Sequence, residues 1–390
     1  MTASDWRSSL TAAERYDNIY RLTKSGVAAR LGKSAYNIEN EAYKTCKTRD
    51  EYDEICNPPG DAEAPLADLD NVGLEGGEPK TIGSYSDCRY VAGGVTAEVY
   101  RSKSNALKVI VETRDMKPHN PRREAKILES LRGGPGVIPL LEVFHDQNQR
   151  LVLVFPFMPV SLAHVMEKVT APLPDPFLRH VFTEFFKGLD FIHSQGIIHR
   201  DIKPSAILIE STKAFTTKPH VYISDFGTAW HPEFSSSDEP ADEKILDVGT
   251  SQYRAPEALF GHKSYTTALD LWAAGIVLAE CIKPSHKPIF ESRPAHEDGS
   301  QLGLILSIFK TLGSPTKENW PEAENFKTPP FEFYRSFEGV EGGWEGILPT
   351  VRKEWRELVK ALVKYESAWR VTARQALDFP CLKGPEVEDS

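Results

Sequence analysis

The stretch Ile198-His199-Arg200-Asp201-Ile202-Lys203-Pro204-Ser205-Ala206 decides how the rest of this chain is read. It fits the pattern H-R-D-x-x-x-x-N at every specified position except the last, where alanine stands in place of asparagine. Asp201 offers a carboxylate that can accept a hydroxyl proton, and Lys203, two residues on, brings a cation to the same loop. His199 and Arg200 are expected to pack and brace that loop.

Working outward, Val221-Tyr222-Ile223 reads as a strand and leads into Ser224-Asp225-Phe226-Gly227. A D-F-G tripeptide arises by chance in many loops, but here it follows the first motif in chain order and is preceded directly by a plausible strand. Asp225 is the candidate metal ligand, with Gly227 letting the backbone turn away. Upstream, Lys108 in Asn105-Ala106-Leu107-Lys108 and Glu124 in Arg122-Arg123-Glu124-Ala125-Lys126 form a candidate ion pair that orients phosphates. Each alone reads as a solvated charge; the two spacings together favour the pair.

The segment Ala92-Gly93-Gly94-Val95-Thr96-Ala97-Glu98-Val99 keeps the middle glycine of G-x-G-x-x-G as Gly94, with Ala92 and Ala97 at the outer positions. Alanine is the mildest replacement where backbone must approach phosphate. Leu151-Val152-Leu153-Val154-Phe155 reads as a buried strand running into Pro156-Phe157-Met158. Pro156 has no N–H but keeps a carbonyl that can accept from an amino group, and Met158 can both donate and accept.

With these residues in place, the chain from about Tyr85 to Leu382 resembles a eukaryotic protein kinase. Ala255-Pro256-Glu257, Asp270-Leu271-Trp272 and Arg370 match later landmarks of that family, Arg370 being the arginine that pairs with Glu257. The resemblance implies an α+β, bilobal fold with a β-rich small lobe and a helical large lobe. It implies ATP and magnesium, with Asp225 as the metal ligand and Asp201, Lys203, Lys108, Glu124 and Thr250 as catalytic residues. Val91, Gly93, Gly94, Val99, Ala106, Lys108, Phe155, Pro156, Met158 and Leu208 would line the nucleotide. His199, Arg200, Phe226, Gly227, Glu257, Asp270 and Arg370 would be structural. Thr250, beside Lys203 in the family, implies serine/threonine specificity.

Tyr253-Arg254-Ala255-Pro256-Glu257 and residues 308–321 resemble the cyclin-dependent kinase group and its large-lobe insert. Within it, residues 247–254 are most similar to the divergent fungal kinases that activate cyclin-dependent kinases. The implied partner is a protein substrate, with a cyclin-dependent kinase as the candidate. Residues 116–123 lack a recognisable cyclin-contact signature, so a cyclin-like subunit is not expected. Counting back from Tyr253, the activating threonine of that group falls on Ile245, which cannot be phosphorylated. The acids Asp238, Glu239, Asp242, Glu243 and Asp247 could give Arg200 a carboxylate in place of a phosphate; a solvated acidic loop is the alternative. Ser235, Ser236 and Ser237 are candidate phosphosites.

Ala206 removes the side chain that in this family ligates a magnesium ion and helps hold the loop. Ser205 is adjacent but is expected to point elsewhere. Two readings compete: an active serine/threonine kinase with an altered metal site, and a nucleotide-binding pseudokinase that scaffolds partners. The survival of Lys108, Glu124, Asp201, Lys203 and Asp225 favours the first.

The 390 residues suit one large two-lobed domain plus an appendage. With 40% hydrophobic and 26% charged residues the composition is that of a globular protein, and the formal charge of −10 argues against nucleic acid or an anionic membrane as partner. The five cysteines are far apart and without C-x-x-C spacing, so a reducing compartment, cytoplasm or nucleus, is expected. Neither a signal peptide nor a membrane-spanning run is read. Residues 1–56 form a helical module by this reading, with Ser4 or Asp5 as a cap and Leu10, Ile19 and Leu22 as apolar points. It has a faint similarity to three-helix activator-binding modules, though a helical appendage or tether is the preferred reading. Residues 57–83 read as a flexible acidic proline- and glycine-rich linker, 84–382 as the kinase domain and 383–390 as a tail.

Overall fold

A computed structural model describes residues 6, 22, 35–56, 78–94, 96–111, 116–169, 172–211, 218–292, 301–328, 330–331 and 336–383. Leu10, Ile19 and residues 384–390 lie outside the described residues. The chain divides into two compact units, residues 1–112 with 144–152, and residues 113–143 with 153–390.

In the first unit, helices α1 (Ala35–Thr45) and α2 (Arg49–Cys56) bury Ile38, Ala42, Cys46, Tyr52 and Cys56 in one apolar cluster with Leu22. The i, i+4, i+8 spacing of Ile38, Ala42 and Cys46 puts all three on one helix face. The Tyr52 hydroxyl would be costly to bury alone; it donates to the buried Glu39 carboxylate at 2.7 Å. The Trp6 ring lies 5.1 Å from that of Tyr52.

The same unit holds β1 (Lys80–Ile82), β2 (Tyr85–Gly93), β3 (Ala97–Ser102) and β4 (Asn105–Ile110). With β5 (Glu142–His145) and β6 (Leu151–Pro156), whose end and start respectively belong to this unit, they form a sheet in the order β1-β2-β3-β4-β6-β5. Alternation along β4 buries Leu107 and Val109 completely and puts Ala106 and Lys108 on the opposite face. Val99 is directly across from Lys108, and a bulge between Tyr90 and Ala92 shifts the register of β2 against β3. Strand β1 begins inside the stretch expected to be linker. Ile82 is fully buried, and Gln147 bonds the backbone of Thr81 and Gly83, so this last part of the segment is structured.

The second unit is mostly helical. Helix α3 (Pro121–Ser130) starts with Asn120 as N-cap, its side chain accepting from the Arg123 N–H at 3.0 Å, and with proline at the first position. Helix α4 (Leu162–Lys168) is capped by Ser161, and α5 (Asp175–Ser194) turns Phe182, Phe185 and Phe186 into the core. Between them in space runs a small sheet of β7 (Val160–Ser161), β8 (Ile207–Ile209) and β9 (Val221–Ile223). Helix α6 (Ala268–Ile282) is mostly apolar and buried along its whole length, and its two carboxylates, Asp270 and Glu280, are each hydrogen-bonded. It packs on α7 (Lys353–Leu362), which contributes Trp355, Leu358, Val359 and Leu362.

All five cysteines are buried, and burial raises the Cys56 thiol to about 11. Among the described residues no helix is long and apolar enough to cross a membrane.

Candidate active site

The loop that opened the sequence reading follows α5 and precedes β8, and its geometry is set from beneath by Asp270 on α6. The Asp270 carboxylate is completely buried and accepts from the backbone N–H groups of His199 and Arg200, each at 2.8 Å, and from the His193 ring at 2.9 Å. Burial by itself would push this carboxyl up; the bonds from His193 and the Arg200 backbone, with the nearby His199, outweigh it and hold the group below the usual range. Arg200 takes a left-handed φ of 69°, uncommon for a residue with a side chain, and the two bonds to Asp270 hold it there.

His199 braces the loop from the side: its ring meets Phe226 edge-on at 4.8 Å and bonds the Ser224 carbonyl at 2.9 Å. The Arg200 Nε donates to the Thr228 carbonyl at 2.6 Å. These contacts tie the catalytic loop to the D-F-G turn. They leave Asp201 at the edge of the core, where Oδ1 accepts from the Thr250 hydroxyl at 2.6 Å and Oδ2 from Lys203 Nζ at 2.5 Å. Lys203 Nζ also stands 3.4 Å from Thr250 Oγ1. A carboxylate, an ammonium and a hydroxyl from two distant segments are thereby brought to one point.

Asp225 caps a short 3-10 turn (Phe226–Thr228) with φ 65° and ψ 64°. The left-handed residue of the D-F-G turn is therefore Asp225 rather than Gly227, which corrects the expectation for that glycine. Gly227 is needed for another reason: a Cβ there would lie 2.2 Å from the His119 ring. The Gly227 carbonyl accepts from the Asn120 N–H at 2.8 Å, so the turn is fastened to the start of α3, the helix carrying the buried Glu124.

Ala206 is buried, and its carbonyl accepts from both the N–H and the hydroxyl of Ser224, at 2.9 and 3.1 Å. Ser205 is exposed and does not turn inward in its place. A magnesium ion carried on nucleotide phosphates takes one or two protein carboxylates; Asp225 could offer one, and the methyl group at position 206 offers no ligand.

The nucleotide candidates fall in both units. In the first, Val99, Ala106 and Lys108 share the half-exposed sheet face, Val91 is half-buried, Gly93 and Gly94 are exposed, and a Cβ on Gly94 would meet nothing within 4 Å. In the second, Phe155, Pro156, Met158 and Leu208 are all half-exposed, Leu208 pairing with Tyr222 and Ser161. Further down, Arg370 sets both arms on the Glu257 carboxylate at 2.7 and 2.8 Å, and both side chains are almost fully buried.

The acidic run resolves into separate parts. Glu239 is buried and accepts from Arg200 and from Arg123 of α3, while Asp247 is 85% exposed and pairs with Arg254 at 2.9 Å. Glu243 pairs with Lys263 at the surface. Ser236 and Ser237 are exposed, but Ser235 is fully buried with its hydroxyl accepting from the His231 N–H, so it is not an accessible phosphosite. The part of Arg123 was missed in sequence, although its place just before Glu124 on α3 was the available signal.

This arrangement of loop, turn and capped helix is that of a protein kinase, and the chain belongs to the protein kinase domain family, which matches residues 83–382. Among curated relatives it is 32% identical over 277 residues to serine/threonine-protein kinase CAK1 of Saccharomyces cerevisiae, covering 60% of this chain and 75% of that one. It is 31% identical over 299 residues to serine/threonine-protein kinase csk1 of Schizosaccharomyces pombe, covering 74% and 92%. Cyclin-dependent kinase 20 of Danio rerio is 32% identical over 285 residues, covering 73% and 76%. The protein is a serine/threonine protein kinase, a divergent member of the cyclin-dependent kinase group with the α+β bilobal fold of that family.

Proposed function

We propose that this kinase transfers the ATP γ-phosphate to a hydroxyl on the activation segment of a cyclin-dependent kinase, with Asp201 accepting the proton. The observation that carries the catalytic part is the Asp201, Lys203 and Thr250 cluster. A carboxylate held by a hydroxyl and an ammonium is fixed in orientation, and the ammonium can support the phosphoryl group in flight. Thr250 belongs to the segment before Glu257, where a substrate hydroxyl would approach, which supports serine/threonine specificity. Lys108 and Glu124 would orient the phosphates, and Asp225 would hold the magnesium, which when bound screens the phosphate charge. The phosphate-covering residues would be Gly93 and Gly94, with Val91, Val99 and Ala106 against the base. Phe155, Pro156, Met158 and Leu208 are the candidates for the base within the second unit. The similarity of residues 247–254 to the fungal kinases that activate cyclin-dependent kinases supports the choice of substrate.

Ala206 supports a second reading, a nucleotide-binding scaffold without transfer, because its methyl group cannot ligate a metal. Transfer of radiolabelled phosphate to a cyclin-dependent kinase and to a generic basic substrate separates the two. The unaltered protein, Ala206→Asn and Asp201→Asn are compared. The enzyme reading expects transfer by the unaltered chain, more by Ala206→Asn, and loss in Asp201→Asn. No transfer by any of the three would leave the scaffold.

A further inference from the structure

Glu239 has more cationic neighbours than any surface role requires. Its carboxylate accepts from Arg200 Nη1 and, at 3.3 Å, Nη2, and from Arg123 Nη1 at 3.4 Å. It also accepts from the backbone N–H of Ile245 at 2.9 Å, the position at which the group's activating threonine would stand. Arg200, Arg123 and Glu239 are no more than 5% exposed. Lys244, itself buried, holds its ammonium 4.8 Å over the Trp230 ring and 5.3 Å from that of Tyr265. The Trp230 indole donates to the Glu239 carbonyl at 2.9 Å, and the Tyr265 hydroxyl links Arg200 to the Ile245 carbonyl.

Two guanidinium groups and an ammonium are thus gathered away from water around a single anion. Burial and the neighbouring Arg200 both make Arg123 harder to keep charged. Without the carboxylate, two buried cations would face one another, so the site requires an anion. The anion links three elements: the segment 231–250, the catalytic loop next to Asp201, and α3 next to Glu124. In switchable kinases that linkage is supplied by a phosphate added to the activation segment. Here a side chain of the segment, six residues before Ile245, already occupies the place.

We propose that Glu239 is a positioning residue for phosphoryl transfer, a built-in carboxylate that orders the activation segment and sets the Asp201 loop without phosphorylation of this chain. The proposal rests on the reading of Asp201 as proton acceptor, and its test separates the two. The full chain, before and after treatment with a broad protein phosphatase, is compared with Glu239→Gln and with Glu243→Gln, a surface acid of the same segment. Transfer kinetics and amide hydrogen exchange over residues 231–250 are both read. The expected result is an unchanged rate after phosphatase. Glu239→Gln lowers kcat on the order of a hundredfold, because the acceptor is displaced rather than removed. Its KM for ATP stays within about threefold, and exchange in the segment quickens. Glu243→Gln changes neither. Loss of transfer on phosphatase treatment overturns the proposal, and so does a Glu239→Gln protein with the original exchange pattern. Should Glu239→Gln fail to fold, the phosphatase arm decides alone. Should the unaltered chain transfer nothing, the kinase reading falls, and the exchange comparison still decides whether Glu239 anchors the segment.

Discussion

Thr250 and Asp201, 49 residues apart in sequence, share a hydrogen bond of 2.6 Å, and Lys203 reaches both. The bond fixes which way the carboxylate faces and joins the segment before Glu257 to the loop that carries Asp201. Replacing Thr250 by valine keeps the shape and deletes the donor. The expected outcome is a fall in kcat of about tenfold to a hundredfold, with Thr250→Ser retaining most of the rate, as measured by steady-state transfer. Equal loss in the serine and valine variants would refute the role given to the hydroxyl.

Gly227 and His119 test the docking of the D-F-G turn on α3. A methyl group at 227 would meet the His119 ring at 2.2 Å, and overpacking of this kind costs about 1–3 kcal/mol. Gly227→Ala is expected to lower both stability and transfer, and adding His119→Ala to restore part of each. A double-mutant cycle by denaturant unfolding measures the coupling. Additive effects would mean that the clash is relieved elsewhere.

The Arg370 and Glu257 pair lies in the helical core, where each charge depends on the other for its solvation. Removing one partner, as in Glu257→Gln or Arg370→Leu, is expected to destabilise by about 3–5 kcal/mol. The joint replacement by apolar residues should cost less than the sum. Urea midpoints at constant slope check this.

Asp270 gives the pH dependence. Its carboxyl titrates below the usual carboxylate range in the folded protein, held there by the bonds from His193 and the Arg200 backbone, so the unfolded chain takes up its proton first as pH falls. The stabilisation is fully present above the unfolded value and is lost as pH drops through the folded one. Asp270→Asn is expected to be less stable by about 3 kcal/mol near neutrality, the scale of hydrogen bonds to a buried charge. That difference should hold from about pH 8 to about pH 5 and shrink below about pH 4. Unfolding curves across that range test it, and a difference that grew with acidification would contradict the assignment.

Much of the fold was legible because its signals are local. Leu151 to Phe155 is an apolar run and Ala106 to Ile110 a strand-like run interrupted only by Lys108, and both do form strands. The 3.6-residue recurrence from Phe177 to His193 and the apolar run from Leu271 to Ala279 mark the helices α5 and α6. The start of β1 was hidden because a three-residue edge strand beside proline and glycine has no period to detect. The motif spacing singled out His199, Arg200, Asp201, Lys203 and Thr250, whose side chains or backbone the fold does bring into one hydrogen-bonded cluster with Asp270. Charge pairing could not be read in this way, since five acids in the same loop look alike in sequence while Glu239 is buried and the other four face water.

From the sequence alone came the chemistry available: which carboxylates, cations and hydroxyls stand at kinase spacing, and that position 206 lacks a metal ligand and position 245 a phosphorylatable hydroxyl. The tertiary structure decided which of these groups meet. It selected Glu239 over Asp247 as the partner of Arg200 and moved the left-handed turn from Gly227 to Asp225. It also made His119 the reason for the glycine. Spacing along a chain fixes side-chain identity and periodicity, whereas burial and ion pairing depend on packing between segments far apart in sequence, and desolvation then separates the buried charge from its solvated neighbours.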